Sequence, residues 1–382
     1  MQTQSTTKTR WPRWTLALGI AAACIAALIS GWATDDLASA RRPESTSVTP
    51  PVQSSFLYRF DPTSPTFFTF PLTLGSVPYG VAVTGTNPTH VWVAEYGLNQ
   101  IGHLAYTNTG SFSYITYPVT STVNSGPYRL AVQGNSVWFT ERGANRIGRL
   151  DVTSGVIDEF SSGLSPNSGL ADIRVAPNGW VWASGQSSSR LIRLVVTSTA
   201  DYEVREYPPH PTMVGIFGLS VPASEYVWYA SPGAGVIGRL DVVNNVVNDV
   251  SFFFPQPRGT PYEIVTTGSF AWFTDPQRDR LGQFDAQTLG NLVLYTSTST
   301  MKPAGLAVEA SNVLWFTQQD EHGAVGRFVY TTTTSTRFDS FALPIAGLRP
   351  TGIAVAVDKS VWFAAFVPVR VFLPAVLKES VN

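Results

Sequence analysis

Acidic side chains recur at matching places in this 382-residue chain: Glu95, Glu141 and Asp275 each close a short apolar run, and Glu263 stands beside Tyr262 at the start of another. Four carboxylates brought to one point could hold a divalent cation, Mg or Ca, through oxygen ligands, with His322 as the base. The same stretches carry Asp172, Asp320 and Glu321, the arginines Arg129, Arg142 and Arg278, and the aromatic residues Tyr79, Tyr128, Phe217 and Tyr262. Rings interleaved with both signs of charge suit a carbohydrate, a peptide or another polar ligand. Carboxylates at repeat positions are not a metal fingerprint, however. The plainer expectation is that they satisfy loop backbone or pair with Arg129, Arg142 and Arg278.

Other chemical signals are weaker. His90 is expected in a turn before a strand, His103 on a strand, and His210 in the rigid connector Pro208-Pro209-His210-Pro211. The run Gly233-Ala234-Gly235-Val236-Ile237-Gly238 matches G-x-G-x-x-G. A dinucleotide site needs those glycines between a strand and a helix, whereas Arg239-Leu240-Asp241-Val242 continues as a strand, so no nucleotide is expected.

The elements that must position these groups are repeats. Trp92, Trp138, Trp182, Trp228, Trp272, Trp315 and Trp362 follow one another at 43 to 47 residues, a period that calls for a solenoid, propeller or array. In the unit GPYRLAVQGNSVWFTERGANRIGRLDVTSGVIDEF, residues 126–160, four apolar-alternating runs are separated by turn residues. No apolar spacing of three and four appears, so each repeat is a four-stranded antiparallel blade and the fold is an all-β, seven-bladed β-propeller. Six complete blades are expected near residues 77–119, 127–162, 169–207, 214–254, 261–296 and 303–343. Asn178-Gly179 in the third is a two-residue hairpin signal.

The seventh blade is expected to be shared by the two ends of the chain. FLYRFDPTSPTFFTFPL, residues 56–72, aligns with the second half of the unit, and GIAVAV and SVWFAA near the other end supply the first half. Joining them removes an exposed sheet edge. A second closure is also compatible with the sequence, in which VRVFL, residues 369–373, provides the third strand and the N-terminus only the fourth.

Composition agrees with a large packed domain: 44% hydrophobic, 12% aromatic and 13% charged residues, with a net charge of -1 that offers no basic face to nucleic acid. Residues 1–40 read as a secretory signal peptide, with Lys8, Arg10 and Arg13 before an apolar run and Ala38-Ser39-Ala40 at the cleavage point. The competing reading is an uncleaved membrane anchor, since the apolar run approaches a spanning length. Cys24, the only cysteine, lies inside that run, so an exported chain would carry no disulfide. Residues 41–55 are a Pro/Ser/Thr-rich linker, 56–365 the propeller and 366–382 a C-terminal tail. A monomer is expected.

The Pro-aromatic start, the VWFTE second strand and the NRIGRLD third strand, seen in residues 126–151, resemble the streptogramin lyase (virginiamycin B lyase) family. The resemblance spans all the repeats. It implies a seven-bladed propeller and a magnesium-dependent opening of cyclic peptide antibiotics by elimination at their ester linkage. It also implies a catalytic site made by the Pro-X-Gly starts and the end of the last blade's second strand. Tyr79 matches the family's tyrosine in the first start. Ala304 stands where a histidine is expected, Thr351 where another is, and Arg349 and Ala365 where glutamates are.

Elimination needs a base, and the metal needs a carboxylate or imidazole. Alanine and threonine supply neither, and arginine repels a cation. The expectation is therefore an exported, noncatalytic propeller that binds a small ligand, a carbohydrate or a protein through its loop-rich face, with Tyr79, Glu95, Tyr128, Glu141, Arg142, Tyr262, Asp275 and His322 as the candidate residues. The other reading is an enzyme, either a residual C–O lyase or a hydrolase whose carboxylate-held metal resembles that of the gluconolactonase-like propellers.

Overall fold

The computed structural model describes residues 54–368, apart from 121–122, 209, 212, 251–258, 298, 321 and 333–334. The signal or anchor segment, nearly all of the linker, and the 369–373 run lie outside the described residues. Within them, strands form seven four-stranded antiparallel sheets. Blades 1 to 6 are continuous in sequence, each running from its first to its fourth strand, and the first strands of neighbouring blades pack side by side around the axis.

Blade 7 closes the ring from both ends. Arg349–Val355 and Val361–Phe366 are its first two strands, Ser55–Asp61 is the third and Thr66–Pro71 the fourth. The register runs from Ser55 opposite Phe366 to Phe60 opposite Val361. The third place is thus filled from the N-terminus, which excludes the alternative closure.

Each repeated tryptophan packs against the next blade. Trp92 of blade 1 sits with Leu130, Val137, Phe139 and Leu150 of blade 2, and Trp362 of blade 7 sits with Val81, Val91 and Val93 of blade 1. The other five behave in the same way. Burying one indole removes some 150 to 250 Å² from water, about 4 to 6 kcal/mol before entropy costs, so the interfaces between blades carry the ring. The third-strand arginines cover the indoles: Arg149, Arg239 and Arg327 lie 5.3 to 5.6 Å from the rings of Trp138, Trp228 and Trp315.

Several local expectations need correction. Blade 4 starts its first strand at Leu219 and blade 5 at Ile264, later than the sequence suggests, although Phe217 N and Tyr262 N still pair with the second strands through Ala230 O and Thr274 O. The loop at Asn178-Gly179 has three residues, not two. Pro177 begins it, Gly179 donates to Ala176 O and only Gly179 has positive φ (+85°), the pattern of a type I turn followed by a left-handed glycine. His90 lies inside the second strand of blade 1, Thr89–Glu95, rather than in the turn before it. Its Nδ1 is 2.8 Å from His103 Nε2, and His103 stacks at 3.9 Å on Trp92.

Candidate functional site

The start of each first strand shapes the hub. In blades 1, 2, 6 and 7 the register slips between the proline that opens the first strand and the third residue after it, a bulge that interrupts the pairing at the X residue. The glycine allows neighbouring first strands to meet. A Cβ on Gly80 would lie 2.9 Å from Arg129 Cα, and one on Gly352 would lie 2.4 Å from Tyr79 O.

Three repeats carry a charged side chain where the others carry that glycine: Arg129, Asp172 and Glu263. These three meet near the axis. Arg129 Nη2 lies 2.6 Å from Glu263 Oε1, Arg174 Nη2 lies 3.7 Å from Glu263 Oε2, and Arg174 Nη1 lies 2.6 Å from Asp172 Oδ1. Asp172 Oδ2 also accepts from Leu219 N at 2.8 Å, tying blade 3 to blade 4. Two guanidiniums and two carboxylates balance one another there. Burial pushes the Glu263 carboxyl above its ordinary range, while Arg129 and Arg174 draw it back. A cavity of about 40 Å³ beside the cluster is lined by Gly80, Arg129, Arg174, Glu263, Leu306 and Ile353. That space admits small solvent molecules only.

Rings gather at the hub's loop face. Tyr79 meets Tyr128 at 4.6 Å, Tyr96 at 5.6 Å and Phe366 at 5.7 Å, and Tyr262 stacks on Phe217 at 3.9 Å. Tyr128 bridges the two groups, 6.3 Å from Phe217. Burial pushes the Tyr79 hydroxyl up to about 12, so it is a neutral donor at pH 7. Arg142 lies 5.0 Å over the ring of Tyr128, and Arg129 lies 5.5 Å from that of Phe217.

The structure separates the four carboxylates taken as metal candidates. Glu95 accepts from Tyr114 Oη at 2.5 Å on the fourth strand of its own blade. Glu141 is fully buried beside Glu159, whose other partner is Arg146 at 2.7 Å, and burial followed by Glu159 raises the Glu141 carboxyl to about 8. Asp275 pairs with Arg280 at 2.8 Å and accepts from Thr260 N at 3.0 Å. Only Glu263 reaches the hub. Among the described residues no three His, Cys, Asp or Glu side chains are grouped to hold a metal ion. His322 is exposed in a turn whose Asp320 accepts from His322 N and Gly323 N.

The positions implied by the family resemblance have other work. Thr351 Oγ1 is 2.9 Å from Pro78 O and 3.2 Å from Ala364 O, joining blade 7 to blade 1. Thr140, Thr274 and Thr317 likewise donate to a carbonyl of the next blade's first strand, and Ser184 donates to Phe217 O just before that of blade 4. Ala365 is fully buried against Tyr58 and Phe363, and Ala304 is 3% exposed. Arg349 donates to Gln319 Oε1 at 2.9 and 3.3 Å. A divalent cation does not fit this set, since none of the four supplies an anionic oxygen and Arg349 brings a positive charge.

Arg174 and Tyr96 escape a reading based on aligned repeat positions, because neither occupies the Pro-X-Gly start. The available signal was the replacement of glycine by Arg129, Asp172 and Glu263, which leaves buried charges in need of partners.

Comparison with known proteins agrees with this architecture. The profile of the Virginiamycin B lyase family matches residues 113–372. A virginiamycin B lyase from Nocardia farcinica (strain IFM 10152) is 28% identical over 184 residues, covering 39% of this chain and 62% of the relative, which is less than two thirds of its length. A streptogramin B lyase structure superposes with a TM-score of 0.65 at 22% identity, covering 82% of this chain and 97% of that one. A catalytically inactive His-to-Ala virginiamycin B lyase from Staphylococcus aureus, solved with quinupristin, gives 0.64 at 20% identity, covering 81% and 99%. At such identities the structural matches speak for the fold alone. With its profile match extending over more than half of its length, the chain belongs to the virginiamycin B lyase family.

Proposed function

We propose that this protein is an exported, noncatalytic member of its family that binds a ligand through the aromatic and arginine-bearing face at the hub. The observation that carries this reading is the make-up of the face: Tyr79, Tyr96, Tyr128 and Tyr262 with Arg142 and Arg349 around them, above a hub filled by the charge-balanced Arg129, Glu263, Arg174 and Asp172. Rings and cations on an open face provide stacking and hydrogen bonding. They provide no base beside a cation. Export rests on the basic and apolar pattern of residues 1–40.

The relative solved with quinupristin had been inactivated by exchanging one histidine for alanine. Ala304 and Thr351 occupy the places where the family resemblance expects histidines. The test is incubation of the purified protein with quinupristin and excess Mg, followed by chromatography, because elimination yields a ring-opened isomer of unchanged mass. No ring-opened product is expected. Turnover above the protein-free rate would replace this proposal with the lyase reading.

A further inference from the structure

The hub face carries positive charge that the described residues do not neutralise. Arg129, Arg146, Arg174 and Arg280 each lie 2.6 to 2.8 Å from a carboxylate oxygen. Among the described residues, Arg142 and Arg349 have only neutral partners. Arg142 Nη2 donates to Gln186 Oε1 at 2.6 Å, and its Nη1 lies 3.4 and 3.5 Å from the carbonyls of Leu170 and Gly169. Arg349 is held by Gln319 Oε1, while Gln319 Nε2 donates to Pro350 O at 3.1 Å. Each glutamine fixes a guanidinium in place without cancelling its charge.

The two cations flank the same ring system. Arg142 lies over Tyr128, Tyr128 meets Tyr79, and Arg349 stands opposite Phe366, whose ring lies 5.7 Å from that of Tyr79. A guanidinium offers five N–H donors in a planar fork, which match the two oxygens of a carboxylate in parallel charge-assisted bonds that a single neutral oxygen cannot form. The donors left over therefore favour an anion, and a cationic or metal-bound ligand is repelled.

Resting on the binding role proposed above, we propose that the ligand is an organic carboxylate borne on a ring: its oxygens accept from Arg142, Arg349 and the Tyr79 hydroxyl while the ring lies against Tyr128. Two sources share that chemistry, a free small acid and the C-terminal carboxylate of a peptide ending in an aromatic residue.

Isothermal titration of the full chain at low salt with benzoate, benzamide, N-acetylphenylalanine and N-acetylphenylalanine amide tests it. The acids are expected to bind at least about tenfold more tightly than the amides, and Arg142→Gln and Arg349→Gln each to weaken the acids by about tenfold. Circular dichroism shows whether each variant keeps its fold. Tighter binding of N-acetylphenylalanine than of benzoate assigns the peptide terminus, and the reverse order assigns the free acid. Equal binding of acid and amide overturns the carboxylate proposal, and if Tyr128→Ala abolishes that binding the face remains a ligand surface. Acid binding that survives the double arginine variant, or no binding of either acid, also overturns it. In the second case the wider binding role stands or falls on neutral and cationic probes at the same face.

Discussion

Glu263→Gln tests whether the hub is a structural ion cluster. The carboxylate is 2% exposed and faces Arg129 at 2.6 Å and Arg174 at 3.7 Å, while the Arg129 side chain is 14% exposed. Glutamine keeps the volume and removes the charge, which leaves Arg129 buried without a counter-ion. Breaking a buried pair from one side costs about 3 to 5 kcal/mol, mainly the desolvation of the charge left behind. Unfolding entropy near 60 °C is about 2.1 cal/mol/K per residue, so for a folded span of roughly 310 residues that cost lowers Tm by about 5 to 8 °C. The double variant Arg129→Met/Glu263→Met removes both charges and should recover more than half of the loss, since Arg174 keeps Asp172 at 2.6 Å. Differential scanning calorimetry at pH 7 reads both. A fall of less than about 2 °C in Glu263→Gln, or a double variant no more stable than the single, would refute the reasoning.

Three further outcomes follow from the same structure. Glu141 has its folded pKa raised from 4.5 to about 8, so the folded state holds more protons than the unfolded one between those values and stability falls as pH rises through that window. Glu141→Gln should flatten that decline in thermal melts and exceed the native Tm at pH 9. His103 is shifted the opposite way for a base, from 6.5 down to about 4 by burial and then by His90, so stability is lost as pH falls from 6.5 to 4, on the order of 3 kcal/mol in all. His103→Gln, which copies Gln283 in blade 5, should remove that loss in acid melts. Gly352→Ala places a methyl 2.4 Å from Tyr79 O, a backbone atom that cannot swing aside, and should lower stability in denaturant titrations by about 3 kcal/mol or more.

The blade count and the tryptophan interfaces were legible because they depend on local alternation and a fixed period, both of which survive divergence. Closure by two strands from each end was open only at its third strand, and the pairing of Ser55–Asp61 with Val361–Phe366 decided it. The site was harder to read. Glu95, Glu141 and Asp275 share a register, and a shared register on different blades points to equivalent places around a ring rather than to one place. Each of the three therefore lies within its own part of the ring, beside Tyr114, Glu159 or Arg280. Arg129 and Glu263 pair across three repeats of sequence, a distance that no local pattern encodes. Thr351 read as a lost histidine until its hydroxyl was seen to hold Pro78 O across the closing seam.

Diffraction from crystals soaked in Mn, recorded at the manganese absorption edge, addresses the hub directly. The account predicts no anomalous peak between the first strands and an intact contact from Arg129 to Glu263. A manganese ion bound by Glu263 with Arg129 swung away would contradict it.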